Sequence, residues 1–376
     1  MGAPVASESV ETATSAGFEY IFPAIRGIQA GREFYVSMCP LRLIPKIFLY
    51  DEDELAPEVR AQRTLNKGRL PALTRYIVNN PNDYVFSALT ASVDGDIHFE
   101  GIADRGVAMR VGQIRISMAA RFLINDGQHR RAAIEQALKE NPDLGEETIA
   151  VVFFQDSGLA RCQQMFADLN RHAVRPPRSI GLLYDHRDDL AAAVRLVTMR
   201  ASVFKGYVEM ESSTLSQRSR KLFTLSSVYY ATQSLLQGLK ISKDQAHELA
   251  EAYWTAIDSE IPEWQMVRRR QLSAQEVRRD YLHSHGIALH ALGRVGNSLL
   301  RESLAPPDWA QTLTRLSLVD WSRANTDWEG RALSGGRVSK SHQHLTLTAN
   351  YLRHHLELVL SAEEQRMEDA YLRGES

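Results

Sequence analysis

Six consecutive residues, Asp126-Gly127-Gln128-His129-Arg130-Arg131, bring a carboxyl, an amide, an imidazole and two guanidinium groups close together in the chain. If they open a helix, the unpaired N–H groups and partial positive charge of its first turn lie beside the arginines. Such a cluster favours binding of an anion, and phosphate is the usual one. The alternative is that the arginines face solvent or pair with nearby acids while His129 packs. The spacing leaves both interpretations open.

The flanking residues predict a strand, a tight turn and a helix around this cluster. Residues 120–125 form a short apolar run typical of a buried strand, and residues 132–140 are helix-forming. Asp126 is expected to cap the helix and Gly127 to allow the turn. Asn141-Pro142 ends the helix. The cluster therefore lies on the first turn of the predicted helix.

The sequence Asp-Gly-Gln-His-Arg between a strand and a helix resembles the motif of the DGQHR-domain proteins. Within them, the chain is similar to the DndB family, regulators associated with DNA phosphorothioate (sulfur) modification. The same corner resembles the ParB-like nucleotide-binding fold and sulfiredoxin, in which a Gly-Cys-His-Arg segment holds nucleotide phosphates and the catalytic cysteine. Gly127, His129 and Arg130 match that segment, whereas Gln128 stands where the cysteine would be. The resemblance implies phosphate binding and does not imply thiol chemistry.

A second group of polar residues follows in residues 164–173, where Asp168 and its neighbours crowd the end of a predicted helix. A helix end tolerates cations well, so capping and a solvated loop are one explanation. The phrase Phe-x-Asp-Leu-Asn-Arg also resembles the DGQHR-domain family, which implies a second wall of the anion site. The expected phosphate- or nucleotide-binding residues are therefore Gly127, Gln128, His129, Arg130, Arg131, Asn170 and Arg171.

A nucleotide site would be of the ParB-like kind, because the sequence has no Walker-type or Gly-x-Gly-x-x-Gly phosphate loop. ATP with Mg²⁺ would be its cofactor, and without such a site no cofactor is expected. Glu135 and Asp168 are further acids that could activate water or hold Mg²⁺. The histidines lack companion cysteines and a His-Glu-x-x-His arrangement, so no dedicated metal site is predicted. If the chain is an enzyme, its expected catalytic residues are Asp126, Gln128, His129 and Arg130.

The predicted fold is α/β, with a mixed sheet in a ParB-like N-terminal domain and a mainly α-helical C-terminal domain. Strand-like runs recur up to about residue 154, whereas most of residues 180–300 has a helical pattern. We place a disordered tail at residues 1–16, the ParB-like DGQHR domain at residues 17–185 and the helical domain at residues 186–376.

Some local patterns predict single elements. Residues 44–50 are apolar and aromatic and predict a strand. The alternating run at residues 85–93 is expected to turn at Asp94-Gly95 and to pair back with residues 97–99. Residues 274–300 predict one long helix.

The chain of 376 residues carries a formal net charge of −2, which excludes a globally basic nucleic-acid binder. DNA contact would need a local patch on the surface. A solvated surface is the plainer explanation of each basic cluster. The candidates are Arg218, Arg220 and Lys221 in a hydroxyl-rich segment, and Arg268, Arg269 and Arg270, which are followed by Arg278-Arg279.

The C-terminal part contains Trp-Glu-Gly-Arg at residues 328–331 and a glycine-rich basic segment at residues 335–341. Backbone N–H groups of such a segment could surround a phosphate, although a glycine-rich turn is the plainer explanation. These phrases, with Leu-Thr-Ala-Asn-Tyr-Leu further on, also resemble the DndB family. The resemblance spans roughly residues 18–370.

Two classes of function remain. The resemblance implies a DNA-binding transcriptional repressor of the operon for DNA phosphorothioate modification. Its partners would be double-stranded promoter DNA, other proteins of the modification system and a second copy of the chain. The alternative is a ParB-like NTPase in the same system, with or without DNA-nicking activity. Two cysteines without metal-site spacing, and no apolar run of membrane-spanning length, predict a cytoplasmic protein without a membrane partner.

Overall fold

The structure, a computed structural model, describes residues 18–48, 67–155, 164–165, 168–169, 176–339 and 341–374. The chain divides into two compact units, residues 1–174 (unit 1) and residues 175–376 (unit 2). Each unit has its own cluster of buried apolar side chains.

Unit 1 is built on one mixed sheet of seven strands in the order β4-β5-β1-β2-β7-β3-β6. Neighbouring strands are antiparallel except β3 and β7, which run parallel. The predicted mixed sheet is thereby confirmed. The strands are β1 (Glu19–Gln29), β2 (Arg32–Pro40), β3 (Leu89–Asp94), β4 (Ile97–Gly101), β5 (Val111–Ser117), β6 (Arg121–Asp126) and β7 (Thr148–Gln155).

The helices described in unit 1 are α1 (Ile44–Ile47), α2 (Leu70–Val78) and α3 (Gln128–Glu140). The prediction of a strand over residues 44–50 is wrong where the structure describes them. Pro45 has no N–H to donate to a sheet, and its fixed φ suits the first turn of a helix. Ile44 and Ile47, one turn apart, are both buried and fix the helix to the core.

Residues 97–99 do not pair back onto β3, so that prediction is wrong. β3 lies between β7 and β6 and uses both of its edges, which leaves none for β4. β4 pairs instead with β5, where Ile97 is opposite Ile116 and Phe99 is opposite Ile114. The Asp94-Gly95 turn therefore redirects the chain to the far edge of the sheet.

The core of unit 1 fixes the corner between β6 and α3 from two sides. Leu89 on β3 and Ile124 on β6 are buried in the sheet. On α3, Ala133, Ile134 and Ala137 are almost fully buried and belong to the same apolar cluster. Burial of these side chains, at roughly 25 cal/mol per Å² of apolar surface, holds the helix against the sheet.

Unit 2 is mainly helical, as predicted, with two short pairs of strands, β8 (Val208–Glu209) with β9 (Phe223–Thr224) and β10 (Leu333–Ser334) with β11 (Arg337–Val338). Its helices are α4 (Arg178–Tyr184), α5 (Asp189–Arg200), α6 (Leu225–Leu236), α7 (Lys243–Ser259), α8 (Pro262–Arg268), α9 (Ala274–Asp280), α10 (Gly286–Glu302), α11 (Pro306–Leu313), α12 (His342–His355) and α13 (Ala362–Leu372).

Helices α6 and α10 lie in close contact at the centre of unit 2. A Cβ atom on Gly293 would lie 2.0 Å from the carbonyl oxygen of Ala231, so no other residue fits this crossing without moving a backbone. Trp254 is fully buried, and its Nε1 donates to Thr232 Oγ1 of α6 at 3.0 Å. The crossing of the two helices is therefore tightly packed.

The single helix predicted over residues 274–300 is wrong, because α9 ends at Asp280 and α10 begins at Gly286. The intervening backbone pairs with another segment: Tyr281 forms a bridge with Ser322, and Leu282 N donates to Trp321 O at 2.9 Å. Tertiary hydrogen bonds thus replace the local helix. The break creates a new helix start at Gly286.

Candidate functional site

The DGQHR motif (residues 126–130) forms the corner between β6 and α3. Asp126 ends the strand, and Gly127 stands at the N-cap position with φ 107° and ψ 17°. No side chain caps α3, so the prediction that Asp126 caps it is wrong. A Cβ atom on residue 127 would also lie 2.4 Å from Leu89 Cδ2. Both the positive φ and the lack of space require glycine at this corner.

The Arg130 side chain turns back across the corner. Its Nη2 donates to Asp126 Oδ2 at 2.5 Å, and its Nη1 donates to the carbonyl oxygen of Ser87 at 3.1 Å and to the Ser87 hydroxyl. The side chain is 15% exposed, against 44% for Asp126. These contacts agree with the alternative in which the arginines pair with nearby acids. A phosphate that approaches Arg130 also meets the negatively charged carboxylate of Asp126.

Arg131 is directed into the interior of unit 1. Its Nε donates to Phe48 O at 2.9 Å, its Nη2 donates to Pro45 O at 3.2 Å, and Nη1 pairs with Glu135. The side chain is only 9% exposed. Arg131 therefore ties α3 to the end of α1, and Glu135 serves as its counter-ion.

Gln128 and His129 occupy different environments on the first turn of α3. Gln128 is buried, and its Nε2 donates to Ile124 O at 3.3 Å, which directs the amide towards the strand. His129 is half-buried, and burial lowers its pKa, with a further contribution from the positive charge of Arg69. Its imidazole is therefore neutral at pH 7 and contributes hydrogen bonding rather than charge.

The structure brings part of the predicted second wall to the motif. Asn125, just before the motif, donates from Nδ2 to Met165 Sδ at 3.2 Å and to Ser92 Oγ at 2.7 Å. Asp168 is exposed, and its Oδ1 accepts from Gln164 Nε2 at 2.7 Å. Asn170 and Arg171 lie outside the described residues.

A cavity of about 740 Å³ lies along α2 and α3 in unit 1. Side chains of both charges line it, among them Lys67, Arg75, Arg131, Glu135 and Glu140. Because the charges are mixed, the cavity does not by itself select for an anion. It lies on the Arg131 side of α3, where the acids and bases pair with one another.

In unit 2, residues 216–221 form a basic loop whose backbone carbonyl groups accept hydrogen bonds from the side chain of Arg278. The guanidinium of Arg278 donates to the carbonyl oxygens of Ser216 and Gln217 at 3.0 Å each, to Ser219 O at 3.0 Å and to Lys221 O. Burial lowers the pKa of Arg278, although the group remains charged at neutral pH. One side chain thus holds four carbonyl groups of the loop.

Some of the predicted DNA-contacting side chains form hydrogen bonds or ion pairs within the protein, and the others are exposed. Lys221 Nζ donates to Gly206 O at 2.8 Å. Arg268 pairs with both carboxylate oxygens of the buried Asp258, at 2.8 and 2.5 Å. The side chains that are exposed on the surface are Arg218, Arg220, Arg269 and Arg270.

The role of Arg278 was not predicted from the sequence, where it is simply one of two adjacent arginines. Its partners are main-chain carbonyls some 60 positions away, and every residue type has such a carbonyl. No side-chain pattern in the sequence therefore marks the interaction.

The glycine-rich segment at residues 335–341 contains the turn between β10 and β11. The N–H groups of Gly335 and Gly336 both donate to the carboxylate of Glu329, the latter at 3.2 Å. An acidic side chain of the protein itself thus occupies the amides that were considered for phosphate binding. The structure supports the interpretation of this segment as a turn.

The described residues contain no group of three or more His, Cys, Asp or Glu side chains placed to hold a metal ion. None of the helices in the described ranges is long and apolar enough to cross a membrane. Cys39 is fully buried, and burial raises the pKa of its thiol to about 12. Cys162 lies outside the described ranges.

Comparison with known protein families gives one match that covers most of the chain. The family model for DndB, described as DNA-sulfur modification-associated, matches residues 22–359. Comparisons with curated proteins and with solved structures give no match. The matched range includes both the DGQHR corner and the basic loop.

Proposed function

Because the chain belongs to the DndB family, which is associated with DNA sulfur modification, we propose that it is a DNA-binding transcriptional regulator, a repressor of the modification operon. Its partners on this proposal are double-stranded promoter DNA and other proteins of the modification system. The observation that carries the proposal is the basic loop of unit 2, which presents Arg218 and Arg220 to solvent.

The loop suits DNA because its arginines are exposed while its backbone is held. Four carbonyl oxygens of residues 216–221 accept hydrogen bonds from Arg278. A held loop loses less conformational entropy when it binds than a free one does. Guanidinium groups presented in this way bind phosphate oxygens of a DNA backbone and release counter-ions from it.

Arg269 and Arg270 offer a second, smaller patch at the end of α8. Arg268 does not contribute to it freely, since it neutralises the buried Asp258. Removal of Arg268 would leave that carboxylate without its counter-ion in the interior, which is costly. Loss of DNA binding in an Arg268 variant would therefore be ambiguous, whereas Arg269 and Arg270 can be changed without this effect.

The DGQHR corner is proposed as a phosphate site within the same protein. The start of α3 has no side-chain cap, and the half-buried His129 can donate a hydrogen bond there. To bind a phosphate, the Arg130 guanidinium would either leave the Asp126 carboxylate or contact the carboxylate and the phosphate together. Of the predicted ligands, Gly127, His129 and Arg130 remain in the proposal, whereas Gln128 and Arg131 are engaged inside the unit.

The alternative function, a ParB-like ATPase with or without DNA-nicking activity, rests on Asp126. Its carboxylate is 44% exposed beside the start of α3. A carboxylate near bound phosphates is the kind of ligand that Mg²⁺ uses in nucleotide sites. This alternative predicts release of phosphate from ATP that is lost in both Asp126→Asn and Arg130→Ala.

The test measures binding of a fluorescent promoter fragment from the modification operon to the full chain over a range of salt concentrations. The variant Arg218→Gln/Arg220→Gln should bind more weakly, and its salt slope should fall by up to about two, roughly one for each DNA phosphate that an arginine no longer neutralises. The matched control is Arg200→Gln/Arg366→Gln, which removes two exposed arginines of unit 2 elsewhere.

If both double variants lose the same affinity, the effect is one of net charge and the loop is not the DNA surface. If the full chain does not bind the promoter but releases phosphate from ATP in an Arg130-dependent manner, the regulator proposal is rejected in favour of the ATPase.

A further inference from the structure

A cleft of about 960 Å³ opens in unit 2 where three helices begin. Residues at the starts of α6, α10 and α12 line it, including Ser227, Gly286 and Ser341. Its volume is within the range of roughly 300–1,000 Å³ that is typical of small-molecule sites. Each helix start brings partial positive charge to the cleft.

Two of these helix starts are satisfied by their own side chains and one is not. Thr224 Oγ1 accepts from Ser227 N at 3.2 Å in the first turn of α6, and Ser341 Oγ accepts from His344 N at 3.2 Å in that of α12. Helix α10, with 17 residues, has no side-chain cap. Its N-cap residue, His285, directs its ring elsewhere, since Nε2 donates to Arg278 O at 2.8 Å. Within the described ranges, the first N–H groups of α10 thus have no side-chain acceptor.

Ser284 gives a second and independent indication at the same point. It is 5% exposed, it lines the cleft, and its hydroxyl has no hydrogen-bond partner among the described residues. A buried hydroxyl without a partner costs free energy and calls for an explanation such as a ligand. Ser284 precedes the first residue of α10 by two positions.

The charged side chains that line the cleft in the described part of the chain are arginines. Arg278, Arg279 and Arg323 line it, and the described lining residues include no Asp or Glu. Arg278 is used by the basic loop, and Arg279, which is 65% exposed, donates from Nε and Nη2 to the two carboxylate oxygens of Asp280 at 2.7 Å each. Arg323 Nη2 donates to Gly336 O at 2.9 Å and keeps its charge. Two guanidinium groups therefore lie at the rim, and a phosphate that binds there competes with the exposed Asp280 for Arg279.

We propose that this cleft binds an organic phosphate of nucleotide size. Its phosphate group lies at the uncapped start of α10, where it accepts hydrogen bonds from the first-turn N–H groups and from Ser284. Arg279 and Arg323 neutralise its charge. Its less polar part lies against Leu215, Tyr230 and Leu345, which also line the cleft. The site belongs to unit 2 and is separate from the proposed phosphate site at the DGQHR corner.

Hydrogen exchange of the full chain with and without ATP locates the binding. ATP should slow exchange in peptides that cover residues 284–290, the start of α10. Peptides that cover residues 127–131 report ATP binding at the DGQHR corner. Protection at one site can therefore be observed or absent independently of the other. AMP, inorganic pyrophosphate and a duplex of about 20 base pairs are compared with ATP to identify which part of the ligand is recognised.

Two variants test the named contacts. Ser284→Ala should weaken ATP binding about ten-fold or more, the effect of one hydrogen bond to a charged group. Without ATP this variant should be as stable as the parent protein or more so, because the hydroxyl has no partner to lose. A merely structural serine would show the opposite. Gln275→Glu, which adds a carboxylate to the lining near Arg279, should weaken ATP binding several-fold while the fold is retained.

The matched control for the second variant is Gln245→Glu, the same change in the first turn of α7 at a residue that does not line the cleft. It should leave ATP binding unchanged. The proposal is overturned if neither ATP nor AMP slows hydrogen exchange in residues 284–290. It is also overturned if the protection of these residues is the same in the parent protein, Ser284→Ala and Gln275→Glu. It is also overturned if the DNA duplex protects these residues and ATP does not, because the cleft is then part of a DNA surface.

Discussion

The Nη2 atom of Arg130 lies 2.5 Å from the Oδ2 atom of Asp126, so that the end of β6 and the first turn of α3 are joined by an ion pair. A cation on the first turn of a helix is unfavourable when it is alone. The carboxylate removes this cost and places a negative charge where an anion would bind. The pair therefore stabilises the corner and competes with any phosphate ligand.

Asp126→Asn tests whether the corner binds phosphate. The change removes a negative charge at hydrogen-bond distance from Arg130, so ATP or DNA phosphate should bind more tightly, by about 1 kcal/mol or more at low salt. The measurement is a titration followed by hydrogen exchange at residues 127–131. Equal binding by the parent protein and Asp126→Asn, with no weakening in Arg130→Ala, would show that the cluster is a structural network only.

Arg130→Ala should destabilise unit 1 by about 1–3 kcal/mol, because it removes the ion pair and the bonds to Ser87. The sequence alone predicts a smaller cost, since it shows a cation at a helix start and none of its partners. Thermal unfolding in the absence of ligand measures the difference. Arg121→Ala, at an exposed position of β6, is the control and should cost little. Equal costs for the two variants would contradict the role of the pair.

Arg278→Lys should loosen the basic loop although the charge is kept. A lysine ammonium cannot donate along the fixed fork with which Arg278 contacts the carbonyls of residues 216–221. We expect faster hydrogen exchange in residues 214–222 and weaker DNA binding. Arg279→Lys, at the exposed neighbouring position, should leave exchange of the loop unchanged. If Arg278→Lys exchanges like the parent protein, the loop is held by other contacts.

The sequence predicted the elements whose patterns are local, and it failed where distant segments decide. The strand–turn–helix at the motif follows from an apolar run, a glycine and helix-forming residues, and the structure contains it. The partners of Arg130 and Arg131 were not predictable, because Ser87, Phe48 and Pro45 are about 40 to 90 positions away and mostly offer backbone oxygens. The uncapped start of α10 was not predictable for the same reason. A backbone hydrogen bond from Leu282 to the distant Trp321 interrupts a sequence whose pattern is otherwise helical.

Acidification should destabilise unit 2 before its carboxylates titrate. Burial, with the positive charge of nearby arginines, lowers the pKa of both His285 and His290 to about 4. The unfolded chain takes up protons at a pKa near 6.5, so stability is complete above that pH and falls as the pH drops towards 4. The expected loss is up to about 1.4 kcal/mol per pH unit for each histidine.

All five tryptophans lie in unit 2, so their fluorescence during urea unfolding reports this unit. The midpoint should be lower at about pH 5 than at about pH 7. His290→Gln, which can still bond to Ser234 but does not titrate, should reduce the difference. A difference of the same size in this variant would assign the effect to other groups.

Glu368→Ala should destabilise unit 2 strongly, by about 3–5 kcal/mol, because it leaves the guanidinium of Arg331 buried without its counter-ion. The two side chains are 3% and 7% exposed, and Arg331 Nη1 also donates to Leu347 O at 2.8 Å, which ties α13 to α12. Glu368→Gln keeps an acceptor oxygen and should cost less. Arg315→Ala breaks an exposed ion pair with Glu357 and should cost about 1 kcal/mol or less in the same urea experiment. Comparable losses for Glu368→Ala and Arg315→Ala would mean that the buried pair does not hold the last helix in place.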